Sequence, residues 1–376
     1  MKKKLMMLAV LLMCVFALSA CAKKELSDDI YSYQISIDGK VLQFPMWYSD
    51  FEKAGFTYTE DATKTLAPNN YTIGEIWTRD GIEIYTELGN RSINTHPYTK
   101  CMVLGIYLGG HSHKEANWEI ILPKGIQYGV STKEDILAAY GTPSTETDDS
   151  TYYRMTYESG LMQKISLAVK KESGVLEFIE IVNFVDLEGV DNSVKEAVPE
   201  DVKKYTAPTE VGDDLYRFNA EIEGHLYAFP SPVTEFLANG FTVQEDSTDQ
   251  AIASAGLSKL KLSYNDKSIY VDIRNYADYA TIPENCFVTS FEKYGDNDLS
   301  LSTFDVTVPC GIKLGDSEDS LIEKLSDFYY ETKETSIAKI YKVYNPNGSR
   351  ADNFEFIIKE GIVAGIELET NNIPGY

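Results

Sequence analysis

Cysteine and histidine are both scarce in this chain of 376 residues, which holds five cysteines and four histidines. No Cys-x-x-Cys pair or Cys/His cluster with zinc-ligand spacing occurs, so we expect no structural zinc site. A Gly-x-Ser-x-Gly turn, the signature of one large class of serine hydrolases, is absent as well. The sequence therefore predicts no bound metal, no cofactor and no catalytic residue.

Basic residues are too few to balance the acidic ones. The chain has 34 Lys and Arg against 58 Asp and Glu, a formal net charge of −24. Such a surface repels phosphate backbones, so nucleic acid is not an expected partner. The composition is otherwise that of a folded protein, with 43% hydrophobic residues, 26 Tyr and 16 Phe.

Long apolar runs are missing except at the N-terminus. Three lysines precede the stretch Leu5–Leu18, an apolar run of about 14 residues. A helix that spans a bilayer needs roughly 20 such residues, whereas a secretory signal needs fewer. Residues 1–20 are therefore predicted to be a signal peptide, and their removal would take the net charge from −24 to about −27 because three lysines are lost.

The signal ends in Leu18-Ser19-Ala20-Cys21, which resembles the bacterial lipobox. That resemblance implies that Cys21 receives a lipid and becomes the first mature residue, with residues 21–27 as a tether. The protein would then sit on the extracytoplasmic face of the cell membrane. Because an anchor with two lipid chains holds stably, whereas a single acyl chain binds only marginally, the anchor would be stable. An ordinary cleaved signal with an incidental cysteine is the alternative.

Most of the rest of the chain repeats itself, at a spacing that is constant up to one inserted residue and one residue longer after it, as in Pro123 with Pro309. Gly224 corresponds to Gly39 and Cys286 corresponds to Cys101, and the residue numbers of the two pairs differ by the same amount. We call this difference in residue number the repeat offset. Other matches at the repeat offset are Phe44-Pro45 with Phe229-Pro230, Phe51 with Phe236, and Gly55-Phe56-Thr57 with Gly240-Phe241-Thr242. We therefore predict one domain present twice, at residues 28–187 and 213–376, joined by an acidic linker at residues 188–212.

Each predicted copy begins with strands and a short helix. Apolar alternation around Asp38-Gly39 predicts a hairpin, because glycine tolerates the positive φ of a tight turn. A helix is expected at about Tyr48–Ala54, with Ser49 and Glu52 as its capping box. A second helix is expected after Ser131, which stands three residues before Glu134 in the same pattern.

Short strands joined by tight turns account for most of the remainder. A helix followed by an antiparallel meander places the fold in the α+β class, with short helices packed on antiparallel sheets. The strands are predicted at Gly74–Thr78, Ile82–Glu87, Cys101–Leu108, Trp118–Leu122, Tyr152–Glu158, Met162–Lys170 and Val175–Phe184, and in the second copy at Ala338–Tyr344, Asn353–Lys359 and Ile362–Glu369.

The segment Gly125–Pro143, Gly-Ile-x-x-Gly-x-Ser followed by Asp-Ile and Tyr-Gly-x-Pro, carries a second resemblance. It is similar to the first helix of small outer-membrane-assembly lipoproteins and of β-lactamase-inhibitory-protein-like domains. The resemblance covers roughly 60 residues per copy and implies fold only, since its residues are caps, turns and core positions. The second copy departs from it, with Leu325-Ser326-Asp327-Phe328 in place of Tyr-Gly-x-Pro.

Two polar clusters are candidates for metal sites. His111 and His113, with Glu115 nearby, would share a face on a strand, but Gly109-Gly110 before them indicates a turn. The corresponding stretch of the second copy holds Asp296, Asp298 and Ser300, and a calcium loop there would need Gly and Glu where Leu301 and Thr307 stand. Exposed polar loops are the interpretation we favour.

The three cysteines outside the signal and anchor are Cys101, Cys286 and Cys310. A Cys286–Cys310 disulfide is one possibility, and a nucleophilic Cys101 or Cys286 is another. Apolar neighbours favour buried, free thiols instead.

Acidic and aromatic residues offer two weaker candidates. Glu60-Asp61 and Glu245-Asp246 recur at the repeat offset, and we interpret both as solvated turns. Four tyrosines could stack on sugars, although strand propensity explains them equally well; they are Tyr152, Tyr153, Tyr329 and Tyr330.

These observations favour a membrane-anchored, non-catalytic binding module whose ligand is a protein or a glycan. Two copies would raise avidity if both engaged one partner. An inhibitor-like module against a secreted enzyme and a glycan-acting hydrolase are the alternatives, the first resting on the fold resemblance and the second on location and abundant carboxylates.

Overall fold

A computed structural model describes residues 25–109, 118–244, 250–294 and 304–371. These residues form two compact units. Unit 1 contains the described residues up to Val190 apart from Ser92–Thr95, and unit 2 contains Ser92–Thr95 together with the described residues from Asp191 onward. Antiparallel sheets with a few short helices make up both units, which is compatible with the predicted α+β class.

The strands of unit 1 are β1 (Gln34–Ile37), β2 (Lys40–Gln43), β3 (Met46–Trp47), β4 (Thr57–Tyr58), β5 (Thr65–Leu66), β6 (Tyr71–Arg79), β7 (Ile82–Gly89), β8 (His96–Pro97), β9 (Met102–Gly109), β10 (Ile120–Leu122), β11 (Ile126–Gln127), β12 (Thr145–Asp148), β13 (Tyr152–Gly160), β14 (Gln163–Lys170) and β15 (Leu176–Asn183). Its α-helices are α1 (Tyr48–Lys53) and α2 (Lys133–Tyr140).

Two main antiparallel sheets organise unit 1. The smaller sheet has the order β11-β10-β1-β2, and the larger one runs β12-β13-β14-β15-β9-β7-β6-β4 with β3 paired to β9. One apolar core joins both sheets to the helices. Around α1, the Phe51 ring stacks on Phe56 at 4.3 Å between centroids and meets Trp77 edge-on. Ile136 brings α2 onto the same core.

Unit 2 contains the helices α3 (Glu200–Lys204), α4 (Val233–Ala238) and α5 (Glu318–Lys324). Its strands are β16 (Asn219–Ile222), β17 (His225–Ala228), β18 (Ser231–Pro232), β19 (Thr242–Val243), β20 (Leu257–Tyr264), β21 (Lys267–Arg274), β22 (Phe287–Tyr294), β23 (Val306–Val308), β24 (Ile312–Lys313), β25 (Tyr330–Glu334), β26 (Lys339–Tyr344), β27 (Asn353–Lys359) and β28 (Ile362–Glu369).

The strand order of unit 2 follows that of unit 1. The smaller sheet runs β17-β16-β23-β24, and the larger runs β19-β20-β21-β22-β28-β27-β26-β25 with β18 paired to β22. Both units also place a cis peptide before a proline at the repeat offset, Phe44–Pro45 and Phe229–Pro230.

The predicted hairpin at Asp38-Gly39 is confirmed, since β1 and β2 flank it in the register Ile37↔Lys40. Both turn residues have positive φ, 50° at Asp38 and 73° at Gly39, as a two-residue hairpin turn of this type requires.

Both predicted capping boxes of unit 1 are wrong in detail. Helix α1 begins at Tyr48, because β3 pairs with β9 up to that point, and no side chain caps it, so Ser49 and Glu52 do not form the box. Helix α2 is capped one residue later than predicted, by Thr132 and Asp135 in place of Ser131 and Glu134. The Ser131 hydroxyl instead accepts a hydrogen bond from the Gln127 N–H at 2.9 Å, within the preceding turn.

Most of the predicted linker is part of unit 2. The segment Asp191–Tyr205, here called the strap, includes α3 and belongs to that unit. The Lys195 N–H donates to the Ala280 carbonyl at 2.9 Å, and Val202 is buried. Acid and proline content suggested an unpacked linker, but backbone hydrogen bonds hold this segment without an apolar periodicity.

Candidate functional site

A cavity of about 440 Å³ opens in unit 1 where β2 leads into β3 and α1. We call it the Pro45 groove. It is lined by Val41, Gln43, Phe44, Pro45, Met46, Trp47, Asp50, Asn183, Val185, Leu187 and Glu188.

Backbone pairing holds one wall of the Pro45 groove in place. In β3, Met46 pairs with Val103 and Trp47 with Met102. The Tyr48 N–H then donates to the Cys101 carbonyl at 3.1 Å. Because β9 is an interior strand of the large sheet, this pairing joins the wall formed by Met46 and Trp47 to the interior of that sheet.

Asn183, at the end of β15, supplies a buried polar group to the groove wall. Its side chain is 6% exposed, and its Nδ2 donates to the Phe44 carbonyl oxygen at 2.9 Å. Within the described part of the chain, its Oδ1 is buried without a hydrogen-bond partner. An unsatisfied buried acceptor of this kind is uncommon in folded proteins.

Two carboxylates give the groove a negative rim. Asp50 pairs with Lys53 at 2.7 Å, but both side chains are well exposed, at 47% and 75%. An ion pair that is this exposed contributes little and exchanges readily. Glu188, near the C-terminal end of unit 1, is an exposed residue of the groove lining. The rim can therefore attract a cationic group without breaking a strong internal contact.

In unit 2, the corresponding place is occupied by Tyr205 of the strap. The Tyr205 hydroxyl accepts hydrogen bonds from the Ala228 N–H at 2.9 Å and from the Ser231 hydroxyl at 3.2 Å. At the repeat offset, Ala228 and Ser231 match Gln43 and Met46, both of which line the Pro45 groove.

Further hydrogen bonds hold the strap along unit 2. The Thr281 hydroxyl donates to the Lys195 carbonyl at 2.7 Å, and Asn285 Nδ2 donates to the Glu196 carbonyl at 3.0 Å. Burial raises the pKa of Tyr205, and the nearby Glu235 carboxylate raises it further. The phenol therefore stays protonated and available as a donor.

A second titratable cluster lies on the large sheet of unit 1. Glu87 is buried at 4% exposure, accepts a hydrogen bond from the Tyr107 hydroxyl, and leaves its Oε2 unpaired within the described residues. Desolvation raises the pKa of Glu87. Neither Glu87 nor Tyr107 lines the Pro45 groove, so the raised pKa here describes a buried carboxyl rather than a group placed against a ligand.

The second cavity, of about 590 Å³, is formed by one polar stretch of unit 2, Pro208–Asn219. Its Arg217 pairs with Asp214 at 3.6 Å, and both side chains are more than half exposed. Its described lining lacks the aromatic wall that distinguishes the Pro45 groove.

The cysteines are free thiols in the described structure. Burial raises the pKa of Cys101 and of Cys286 to about 12, so neither forms a thiolate readily. Cys310 is partly exposed, and its Sγ donates to the Asp213 carbonyl at 3.2 Å.

The predicted aromatic and acidic candidates are scattered. Lys133 Nζ lies 3.4 Å from the centre of the Tyr153 ring, and Tyr329 meets Tyr344 edge-on at 5.1 Å. Tyr152 is half-buried, and Tyr330 packs against Tyr341. Glu60 pairs with Lys64, and Asp61 accepts from the Thr63 N–H, as expected of an exposed turn.

Several predicted positions lie outside the described residues: Cys21, His111, His113, Glu115, Glu245, Asp246, Asp296, Asp298, Ser300 and Leu301. Among the residues that the structure does describe, no group of three or more His, Cys, Asp or Glu is arranged to hold a metal ion. The helices of that same part are all too short or too polar to cross a membrane.

Sequence reasoning missed the Pro45 groove, although one signal pointed to it. Phe44-Pro45 and Phe229-Pro230 recur at the repeat offset, which indicates that the position matters to the fold. Asn183 and Tyr205 carried no such signal, since they come from distant segments that only the folded chain brings to these sites.

Comparison of the chain with protein families, with curated proteins and with solved structures gives no match.

Proposed function

We propose that this protein is a lipid-anchored, extracytoplasmic binding protein whose Pro45 groove receives a segment of a protein partner. One observation carries the proposal. The place that is an open groove in unit 1 is occupied in unit 2 by Tyr205 of the chain's own strap. A surface that binds a peptide segment within the chain is suited to bind one from another chain.

The proposal includes a duplicated domain at residues 28–187 and 213–376. Support comes from the matches at the repeat offset, which continue one residue further apart from Pro123 and Pro309 onward, and from the common strand order of the two large sheets. In this account the copies have diverged in role, since unit 2 binds its own strap while unit 1 keeps its groove for a partner.

A binding role fits the groove better than catalysis. Its described lining contains no histidine, cysteine, serine or lysine, and its charged members are the exposed Asp50 and Glu188. Nucleophilic catalysis needs a nucleophile and a base in hydrogen-bond contact. Aromatic and apolar walls with a polar rim are instead typical of recognition sites.

The test is a selection from a displayed random-peptide library on the soluble mature chain, residues 22–376. Parallel selections use Val185→Arg, which places a charge on an exposed groove residue, and Leu161→Arg, which adds the same charge on a turn of unit 1 where the side chain is 93% exposed.

We expect peptides that bind the parent chain and the Leu161→Arg variant and fail to bind the Val185→Arg variant. Peptides that bind all three proteins equally, or no enrichment at all, would count against the Pro45 groove as a binding site.

A further inference from the structure

We infer that the Pro45 groove selects a tyrosine side chain that follows basic residues in the partner segment. This inference rests on the proposed function and adds the chemistry of the ligand. It starts from the ligand that unit 2 already holds, Tyr205, which is preceded by Lys203 and Lys204 in the strap.

The shape of the site favours an aromatic ring. Pro45 and Phe44 match Pro230 and Phe229 of the site that Tyr205 occupies. Where unit 2 has Ser231 and Pro232, unit 1 has Met46 and Trp47, so its wall is larger and more aromatic. Thioether and indole groups both pack favourably on an aromatic ring.

A hydroxyl on that ring would have a carboxylate partner. Asp50 matches Glu235 at the repeat offset, and the charge of Glu235 contributes to raising the pKa of Tyr205 in unit 2. Met46 replaces the Ser231 hydroxyl that donates to Tyr205, so the phenol in unit 1 loses that donor. It would instead donate to Asp50, and hydrogen bonds to a charged acceptor are stronger than neutral ones.

Charge selects what precedes the tyrosine. Asp50 and Glu188 rim the groove, and the whole chain carries −24. Lys203 and Lys204 are exposed in the strap, next to the half-buried Tyr205, and in unit 2 they pair with Glu200 and Asp201 of the same helix. A partner segment with lysine or arginine at these positions would meet the acidic rim and would associate faster at low salt.

The chain does not supply this tyrosine to unit 1 in the way it does to unit 2. The position that matches Tyr205 at the repeat offset is Ala20, so the segment before unit 1 is not a second copy of the strap. We therefore assign the occupant to a separate protein.

The experiment is a titration of the soluble chain, residues 22–376, with a fluorescein-labelled peptide of the strap sequence 198–208, followed by anisotropy. Two further peptides carry Tyr205→Phe or the pair Lys203→Glu and Lys204→Glu. Each is titrated into the parent chain and into the Val185→Arg, Leu161→Arg and Asp50→Asn variants.

We expect saturable binding of the strap peptide that Val185→Arg abolishes and Leu161→Arg leaves intact. Loss of one hydrogen bond to a charged acceptor should weaken the Tyr205→Phe peptide by roughly 10-fold or more. In the Asp50→Asn variant, the difference in affinity between the strap peptide and the Tyr205→Phe peptide should be smaller. The peptide with two glutamates should bind the parent chain less well than the strap peptide and the Tyr205→Phe peptide.

Equal affinity for the Tyr205 and Phe peptides would overturn the tyrosine inference and leave the groove a binding site. If none of the three peptides shows groove-dependent binding, the tyrosine inference is overturned as well. The library selection then decides separately whether the groove binds other segments.

Discussion

Glu87 is a residue of unit 1 whose charged form is disfavoured by burial. Burial raises its pKa above the ordinary value of 4.5, the Tyr107 hydrogen bond opposes this, and the charges of Glu180 and Lys164 act in opposite directions. A carboxyl whose pKa is raised in the folded state contributes most stability below its unfolded pKa. That contribution is lost as the pH rises from the unfolded pKa through the folded one, at up to about 1.4 kcal/mol per pH unit.

We therefore predict that Glu87→Gln removes a decline in the unfolding free energy that the parent chain shows above about pH 4.5. The measurement is urea unfolding from pH 4 to 8. Glu83→Gln, an exposed position on the same strand, is the matched control and should keep the decline. A parallel slope for the parent chain and Glu87→Gln would disprove the assignment.

Cysteine reactivity provides a second test on single residues. Burial holds the pKa of Cys101 and Cys286 at about 12, whereas Cys310 is partly exposed. Since the thiolate is the reactive form, iodoacetamide at pH 8 should modify Cys310 first and spare the other two until denaturant is added. Peptide mass mapping follows the three sites, and early modification of Cys101 would show that its surroundings open readily.

Single residues also mark where sequence reasoning stops. The burial of Cys101 and Cys286 agreed with their apolar neighbours. The pairing of Asn183 with the Phe44 carbonyl joins positions 139 apart, and no local pattern encodes such a contact. The predicted N-cap of α2 was one residue too early, because the Ser131 hydroxyl accepts a hydrogen bond within the preceding turn.

The strap is the element whose role the structure changes most. It donates one backbone hydrogen bond to Ala280 and accepts side-chain hydrogen bonds from Thr281 and Asn285 of unit 2. A fragment of residues 191–376 should therefore unfold cooperatively and at a higher urea midpoint than one of residues 213–376. Its free energy of unfolding should be greater by about 2–4 kcal/mol, because the longer fragment keeps several hydrogen bonds.

Circular dichroism and urea titration of the two fragments give the comparison, with Tyr205→Phe in the longer fragment as an intermediate case. Equal midpoints would mean that the strap is a linker after all.

Elements with strong local signals were predicted well. The hairpin at Asp38-Gly39 and the strands Asn353–Lys359 and Ile362–Glu369 appear where alternation and turn residues placed them. Strand β12 was missed because its residues, Thr145–Asp148, are all polar and exposed. Its pairing with β13 comes from backbone hydrogen bonds, which leave no hydrophobic pattern in the sequence.

At the scale of the whole molecule, the lipobox resemblance predicts that Cys21 is the lipid attachment point. Cys21→Ser should release the protein from the membrane fraction into the medium or the soluble fraction, because no lipid can then be attached. Fractionation with immunodetection measures this, and Cys14→Ser, inside the signal, is the control that should leave retention unchanged. Retention of the Cys21→Ser protein would contradict the anchor.

In the proposed function, the Pro45 groove of unit 1 and the Tyr205 site of unit 2 are the same docking site, which is open in unit 1 and occupied by the chain's own strap in unit 2. Seven residues separate Tyr205 from Asp213, and residues 21–27 form an equal spacer before Asp28. Grafting the strap sequence, Asp191–Tyr205, directly before residue 21 of a Cys21→Ser chain therefore offers unit 1 the same ligand at a high effective concentration.

The measurement is hydrogen–deuterium exchange of the groove segments, Gln43–Asp50 and Asn183–Glu188, with and without the graft. We expect slower exchange in both segments. The effect should be reversed when Tyr205→Ala is made in the grafted strap only, with the strap of unit 2 left unchanged. Exchange that is identical in the grafted and ungrafted chains would contradict it.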